Sequence, residues 1–265
     1  MCQDCGCVET GAVTIEGGSG KPHSHGPHGH GHHHHAHGHH HHDPAPPGKV
    51  KELSLKAAIL SQNDHLAAHN REHLKEQGIF TMNWVSAPGS GKTSLLERIV
   101  KDRPAGREVA VIEGDQQTTR DAERIRAQGA KAVQIETGSA CHLDAQMVHQ
   151  ALHNLAPAQG SLLVIENVGN MVCPTAFDLG EDFKLAVIST PEGDDKPLKY
   201  PDLILNSKVL LINKIDLLPY LDFDLAACEA NARKLNPQIQ VFAVSAKTGE
   251  GLDSFYRWLD ASMSA

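Results

Sequence analysis

The sequence predicts an α/β fold, a mainly parallel sheet flanked by helices, and three observations lead there. Seven short apolar runs recur along the 265-residue chain, most of them separated by stretches with helical apolar spacing. Alternating strand and helix patterns of this kind are what a parallel sheet with crossover helices requires. Residues 1–48 contain almost no large apolar side chains, and a folded pattern begins only at "KVKELSLKAAIL". The expected organisation is a disordered, histidine-rich tail, residues 1–48, followed by one domain, residues 49–265.

Composition removes several classes of function. A net charge of -8 argues against sequence-independent nucleic-acid binding. No apolar run approaches the roughly 18 residues of a membrane span, and no signal peptide precedes the first cysteines. A cytoplasmic protein is expected, in which thiols stay reduced and clustered cysteines point to metal or redox chemistry.

The elements follow in order. "ELSLKAAILSQNDHLAAHNREHLKEQG" has helical spacing and ends on Gly78; His65, His69 and His73 share one face of it, either solvated or metal-binding. The strand candidates are "FTMNWVS", "EVAVIEGD", "KAVQIET", "SLLVIEN", "FKLAVIST", "KVLLINK" and "QVFAVSA". In open α/β sheets ligands bind at the carboxyl ends of the strands, and the chemical motifs lie there.

The first strand runs into "SAPGSGKTSLL", residues 86–96. Gly89, Ser90 and Gly91 allow tight turns whose N–H groups face phosphate oxygens, Lys92 adds charge, Thr93 offers a hydroxyl to Mg²⁺, and "TSLLERIV", with Ser94 among the cofactor-binding residues, begins the helix whose N-terminus favours anions. This is a P-loop, except that Ser86 stands where G-x-x-x-x-G-K-[ST] has its first glycine. The P-loop NTPase fold is the specific expectation. "NKID", with Asn213, Lys214 and Asp216, and "SAK", with Ser245, Ala246 and Lys247, each follow a strand. One carboxylate, Asp216, can accept from both the N1–H and the amine of guanine, which adenine cannot match, so GTP is expected. The Lys214 stem covers the base, and the Ala246 N–H is expected to meet the guanine carbonyl.

Two segments between cradle and base reader are candidate switches. "EGDQQTTRD" places Asp115 where it can hold Mg²⁺ or its water, and "IENVGN" presents Glu166 and Gly169 in the pattern D-x-x-G with Glu for Asp. Gly169 would offer its N–H to the γ-phosphate, and Asn170 stands where some GTPases carry a water-positioning glutamine. Solvated turns are the alternative for both segments. Lys92, Thr93, Asp115 and Glu166 are the candidate catalytic residues, with slow hydrolysis expected.

Metal chemistry is expected at three places. Cys2, Cys5 and Cys7 in "MCQDCGC" can converge on one ion, Ni²⁺ or Zn²⁺, with a redox role as the alternative. Cys141 and His142, expected to start a helix, and Cys173, four residues after Gly169, form a possible second set; buried inert thiols are the alternative. The tract from 23 to 42 holds thirteen imidazoles: His23, His25, His28, His30, His32, His33, His34, His35, His37, His39, His40, His41 and His42. A flexible tract of this kind can hold several ions weakly, as a store or buffer. Cys228, in "LAACEANARKL", reads as a core residue.

Taken together, "MCQDCGC", the tract, "APGSGKTSLL", "EGDQQTTRDAERI", "ETGSACHLDA", "IENVGNMVCP" and "NKIDLLPY" resemble the hydrogenase nickel-incorporation GTPases, the HypB family. The resemblance implies a P-loop GTPase of the SIMIBI class that forms a GTP-linked homodimer. It further implies work with a small zinc-containing partner protein to deliver Ni²⁺ to the large subunit of [NiFe]-hydrogenase. It assigns Cys2, Cys5 and Cys7 to a tight nickel site, and Cys141, His142 and Cys173 to a second site taking nickel or zinc. Two alternatives remain at this level. One is a urease accessory GTPase, whose metal motif is a contiguous Cys-Pro-His, here split between Cys141-His142 and Cys173-Pro174. The other is a passive nickel store with a regulatory nucleotide domain.

Overall fold

The computed structural model describes residues 14–16, 47–102, 106–116 and 120–264. Cys2, Cys5, Cys7 and the histidine tract lie outside the described residues. All seven expected strands form, as β2 (Phe80–Ser86), β3 (Val109–Asp115), β4 (Lys131–Glu136), β5 (Leu162–Glu166), β6 (Phe183–Ser189), β7 (Ser207–Asn213) and β8 (Gln240–Ala243). They pair in parallel in the order β4-β3-β5-β2-β6-β7-β8. An eighth strand that the sequence pattern did not reveal, β1 (Thr14–Glu16), adds antiparallel to the outer edge of β4.

Alternation within the strands splits the core between two faces. Val109 and Val111 join Met82, Trp84 and Leu185 beneath α2 (Lys92–Asp102), α3 (Arg120–Ala127) and α9 (Leu252–Met263). Their neighbours Ala110 and Ile112 pack on the opposite face with Val148, Leu152 and Leu74, under α1 (Pro47–Glu76) and α4 (Ala145–Leu155). Val85, Ala186 and Leu210 continue that buried layer towards α7 (Pro201–Leu205) and α8 (Leu225–Leu235). Cys228 of α8 is fully buried, and burial pushes its thiol up to about 12, as befits a core residue.

Helix ends follow local chemistry. α1 stops before Gly78, which adopts φ +64°, a left-handed conformation that a residue without Cβ reaches at little cost. Asp144 caps α4 by accepting from the Met147 N–H at 2.8 Å. The sheet order turns back on itself around β2: β3, β4 and β5 lie to one side of it and β6, β7 and β8 to the other. The P-loop leaves the end of β2, at this switch point, where a crevice opens.

Candidate nucleotide and metal site

The P-loop occupies the turn from β2 into α2. Gly89 and Gly91 hold φ +76° and +94°, and a Cβ on Gly91 would lie 2.5 Å from Asn213 Nδ2. Ser86 explains its own departure from the motif. Its fully buried Oγ accepts from Lys92 Nζ at 2.8 Å and from Ser90 Oγ at 2.7 Å, and donates to the Ala87 carbonyl. A glycine there would leave a buried ammonium with one partner fewer.

Glu166, at the end of β5, stands 3.7 Å from Lys92 Nζ, and its Oε1 accepts from Thr93 Oγ1 at 3.2 Å. Glu113 on β3 is its cross-strand neighbour in register. Glu113 was not among the residues expected from sequence, where Asp115, two residues later, carries the motif; an acidic residue inside an apolar strand is the signal that marks it. Burial holds the Glu113 carboxyl well above the usual carboxylate range, and the charge on Glu166 adds to the effect. Burial also raises Glu166, against the pull of Lys92. Glu113 Oε1 and Glu166 Oε2 are buried without a hydrogen-bond partner. Orphaned carboxylate oxygens beside a threonine hydroxyl are a donor set suited to a hard divalent cation.

These groups line one cleft of about 830 Å³, together with Gly89, Asp115, Gly169 and Cys141. Gly169 packs against the P-loop: a Cβ there would come within 3.0 Å of Pro88 Cγ. A second hollow of about 610 Å³ shares Gly91, Ser94 and Lys214 with the cleft and reaches Asn213, Asp216, Ala246 and Lys247. Asn213 ties both sides, with Nδ2 donating to the Ser90 carbonyl at 2.9 Å and Oδ1 accepting from the Ala246 N–H at 3.1 Å. The Ala246 N–H, expected to meet the guanine carbonyl, is thus held at the rim of the hollow by Asn213. Lys214 takes φ 64° and donates from Nζ to the Gly89 carbonyl at 2.6 Å, which lays its stem across the hollow. Asp216 accepts from the buried Ser245 hydroxyl at 2.6 Å.

The second metal set assembles beside the cleft. The ligand atoms of Cys141, His142 and Cys173 all lie within 4.8 Å of one another. Cys141 and His142 sit in the turn before α4 and do not begin a helix, because Asp144 provides the cap. Cys173 opens the short α5 (Cys173–Ala176). His142 is buried, its ring 3.9 Å from that of Phe177, and burial lowers its pKa, favouring the neutral, ligating form. Asn170 does not face the cleft alone: Nδ2 donates to the Cys141 carbonyl at 3.4 Å and Oδ1 accepts from the Val172 N–H at 2.8 Å. Among the described residues no helix is long and apolar enough to cross a membrane.

Known proteins agree with this construction. The profile described as "CobW/HypB/UreG, nucleotide-binding domain" matches residues 81–243. The hydrogenase maturation factor HypB of Rhizobium leguminosarum bv. viciae is 56% identical over 218 residues, 82% of this chain and 73% of that protein. The Escherichia coli K12 HypB is 41% identical over an alignment that spans 100% of both chains. A crystal structure of Helicobacter pylori HypB in complex with nickel superimposes with a TM-score of 0.72 at 37% identity, covering 77% of this chain and 95% of that one. With its P-loop, its parallel sheet and these relatives, the chain belongs to the HypB hydrogenase maturation factors, within the CobW/HypB/UreG nucleotide-binding family.

Proposed function

We propose that this protein is a GTP-hydrolysing nickel metallochaperone that stores Ni²⁺ and delivers it to the large subunit of [NiFe]-hydrogenase. The observation that carries the reading is that Cys141 lines the same cleft as Lys92, Glu166 and Gly169 while its thiol stands within 4.8 Å of the other two ligands. The loop that would feel the γ-phosphate runs from Gly169 to Cys173, so metal cargo held by Cys173 and Cys141 would join that loop to the cleft. The nickel in the Helicobacter pylori relative's structure supports that choice of cargo.

In this reading Gly89, Ser90, Gly91 and Ser94 cradle phosphates, and Lys92 neutralises charge on the β- and γ-phosphates. Thr93, Glu166 and Asp115 hold Mg²⁺, with Glu113 behind them. When bound, Mg²⁺ supplies charge neutralisation at the phosphates. Gly169 donates its N–H to the γ-phosphate, and Asn213, Lys214, Asp216, Ser245, Ala246 and Lys247 form the guanine pocket. Without a supplied arginine, turnover belongs in the slow range, about 10⁻⁴ to 10⁻² per second. Cys141, His142 and Cys173 hold Ni²⁺ or Zn²⁺; Cys2, Cys5 and Cys7 form the tight nickel site, and the histidine tract buffers the ion. The protein acts in the cytoplasm as a GTP-linked homodimer with a small zinc-containing partner protein. Tyr220, 82% exposed, and its neighbour Leu221 present an apolar surface beside the base pocket for that contact.

The test is a Ni²⁺ titration of the protein bound to GDP and to a non-hydrolysable GTP analogue. Different affinities at Cys141, His142 and Cys173 are expected; identical ones would overturn nucleotide-controlled delivery and favour a passive store.

A further inference from the structure

Two turns beyond the cysteine-histidine set, α4 presents a second cluster of metal-ligating groups that the nucleotide chemistry does not use. His149 and His153 are spaced i, i+4, and their Nε2 atoms stand 3.3 Å apart with the rings nearly perpendicular. His69, one helix away on α1, brings its ring centroid to 5.4 Å from that of His149.

The tautomer of His149 follows from its surroundings. Asn70 is 1% exposed, and its Nδ2 donates to two carbonyls, those of Ala145 and Leu179, which fixes the direction of the amide. Its Oδ1 therefore faces His149 Nδ1 at 3.0 Å and must accept from it. The proton sits on Nδ1, and the Nε2 lone pair of His149 points at His153. A metal-ligating imidazole held by an outer hydrogen bond on its other nitrogen is the arrangement that orients a ligand and raises its basicity. Burial and the nearby His153, His69 and His73 also lower the His149 pKa, which favours the neutral ring.

The separation, which is that of a hydrogen bond from His153 Nε2–H to His149 Nε2, is also compatible with one ion in place of that proton. Two nitrogens bound to one centre at about 2.0–2.1 Å lie about 3.3–3.4 Å apart at a tetrahedral angle, and about 2.9 Å apart at a right angle. The observed 3.3 Å fits the tetrahedral case. We propose that His149 and His153, with His69 as third donor, form a separate Zn²⁺-binding site that bridges α1 and α4. His153 and His69 are exposed, so the second and third rings can turn onto an ion and a water can complete its shell. The proposal is independent of what Cys141, His142 and Cys173 carry.

The probe is Zn²⁺ alone, added to the full chain labelled with ¹⁵N in its imidazoles. The His149 and His153 resonances are assigned from His149→Gln and His153→Gln. Both Nε2 signals should move together on one saturation curve while the His149 Nδ1–H stays in place. In His153→Gln, an exposed substitution that leaves the core intact, the His149 response should shift to at least tenfold higher Zn²⁺. His69→Gln should weaken the site severalfold. Unmoved His149 and His153 signals at saturating Zn²⁺ would overturn the site, as would a His149 curve unchanged in His153→Gln. An unchanged curve in His69→Gln would overturn the bridge to α1.

Discussion

Asn170 donates to the carbonyl of Cys141 at 3.4 Å, joining the loop that follows Gly169 to the turn that carries two metal ligands. The loop and the turn belong to different strand ends, so under the proposed function a shift of Gly169 towards a γ-phosphate would be passed to Cys141 through one amide. Cys173, three residues further on, would move with the same loop. By linkage, whatever factor nucleotide exerts on metal affinity, metal exerts on nucleotide affinity. Asn170→Ala should bring the ratio of metal affinities in the GTP-analogue and GDP states close to one, from an expected 5- to 150-fold in the parent. Competition against a chromophoric chelator, with the tail sites removed, measures the ratio; an undiminished ratio would show that the coupling bypasses Asn170.

Lys92→Ala should lower phosphate release by at least about 10²-fold, the scale of losing one preorganised charge at a transferring phosphoryl group. Ser86→Gly should retain hydrolysis but reduce stability by about 1–3 kcal/mol, because two buried donors lose their acceptor. Chemical denaturation and a phosphate-release assay separate the two outcomes.

Glu113 makes stability depend on pH. Its folded-state pKa is raised, so the native protein keeps a proton that the unfolded chain releases. Stability is full below the unfolded value of 4.5 and declines as pH rises towards the folded value, by up to about 1.4 kcal/mol per pH unit. Glu113→Gln carries no such charge and should flatten that slope in metal-free buffer while weakening Mg²⁺-dependent hydrolysis. Parallel stability–pH curves for the two proteins would refute a protonated Glu113.

Asp216→Asn should lose preference for GTP over ATP by about 10³-fold or more, since an amide cannot accept two donors and keep the Ser245 hydroxyl as well. Competition binding with both nucleotides measures this directly.

Deleting residues 23–42 should reduce the number of Ni²⁺ ions bound while leaving the tightest site and hydrolysis unchanged. Ions on the imidazoles of the tract should also be released below pH ~6, where histidine protonates. Equal stoichiometry before and after deletion would leave the tract as a spacer.

The seven parallel strands were legible because each is an apolar, β-branched run closed by turn residues, a pattern that needs no knowledge of tertiary structure. The three residues of β1 are too few to show a period, and only the free edge of β4 gives them a partner. Lys92, Thr93 and Asp216 were legible because contiguous motifs put them at strand ends. Glu113 was not, since its partner Glu166 lies on a neighbouring strand and no spacing along the chain predicts which strands adjoin. Cys141, His142 and Cys173 were legible as a possible set, but residue types alone left buried inert thiols as an equal alternative, and only the family resemblance favoured the metal. Local sequence also placed Cys141 at a helix start, whereas the cap at Asp144 pushes that start four residues on, to Ala145. His65, His69 and His73 do share a helix face, but that His69 meets His149 depends on how α1 lies against α4.

α1 fastens to the domain from Asn63 onward. The Asn63 side chain bonds Ala145 and Asp178, Asn70 bonds Ala145 and Leu179, and Arg71 pairs with Asp178 at 2.6 Å. Ahead of Asn63, residues 57–62 are exposed apart from the half-buried Leu60. At 1.5 Å per residue, the sixteen residues from Pro47 to Asn63 make a boom about 24 Å long. The chain between β1, which is paired to β4, and Pro47 thus enters α1 at the far end of a rod, and the rod's near end grips both loops that frame Cys141 and Cys173. If the proposed exchange of an ion between tail and domain takes place, tether geometry would govern it. A stiff arm sets the local concentration of one site around the other, and shortening or hinging the boom would change the rate of hand-over without altering a single ligand.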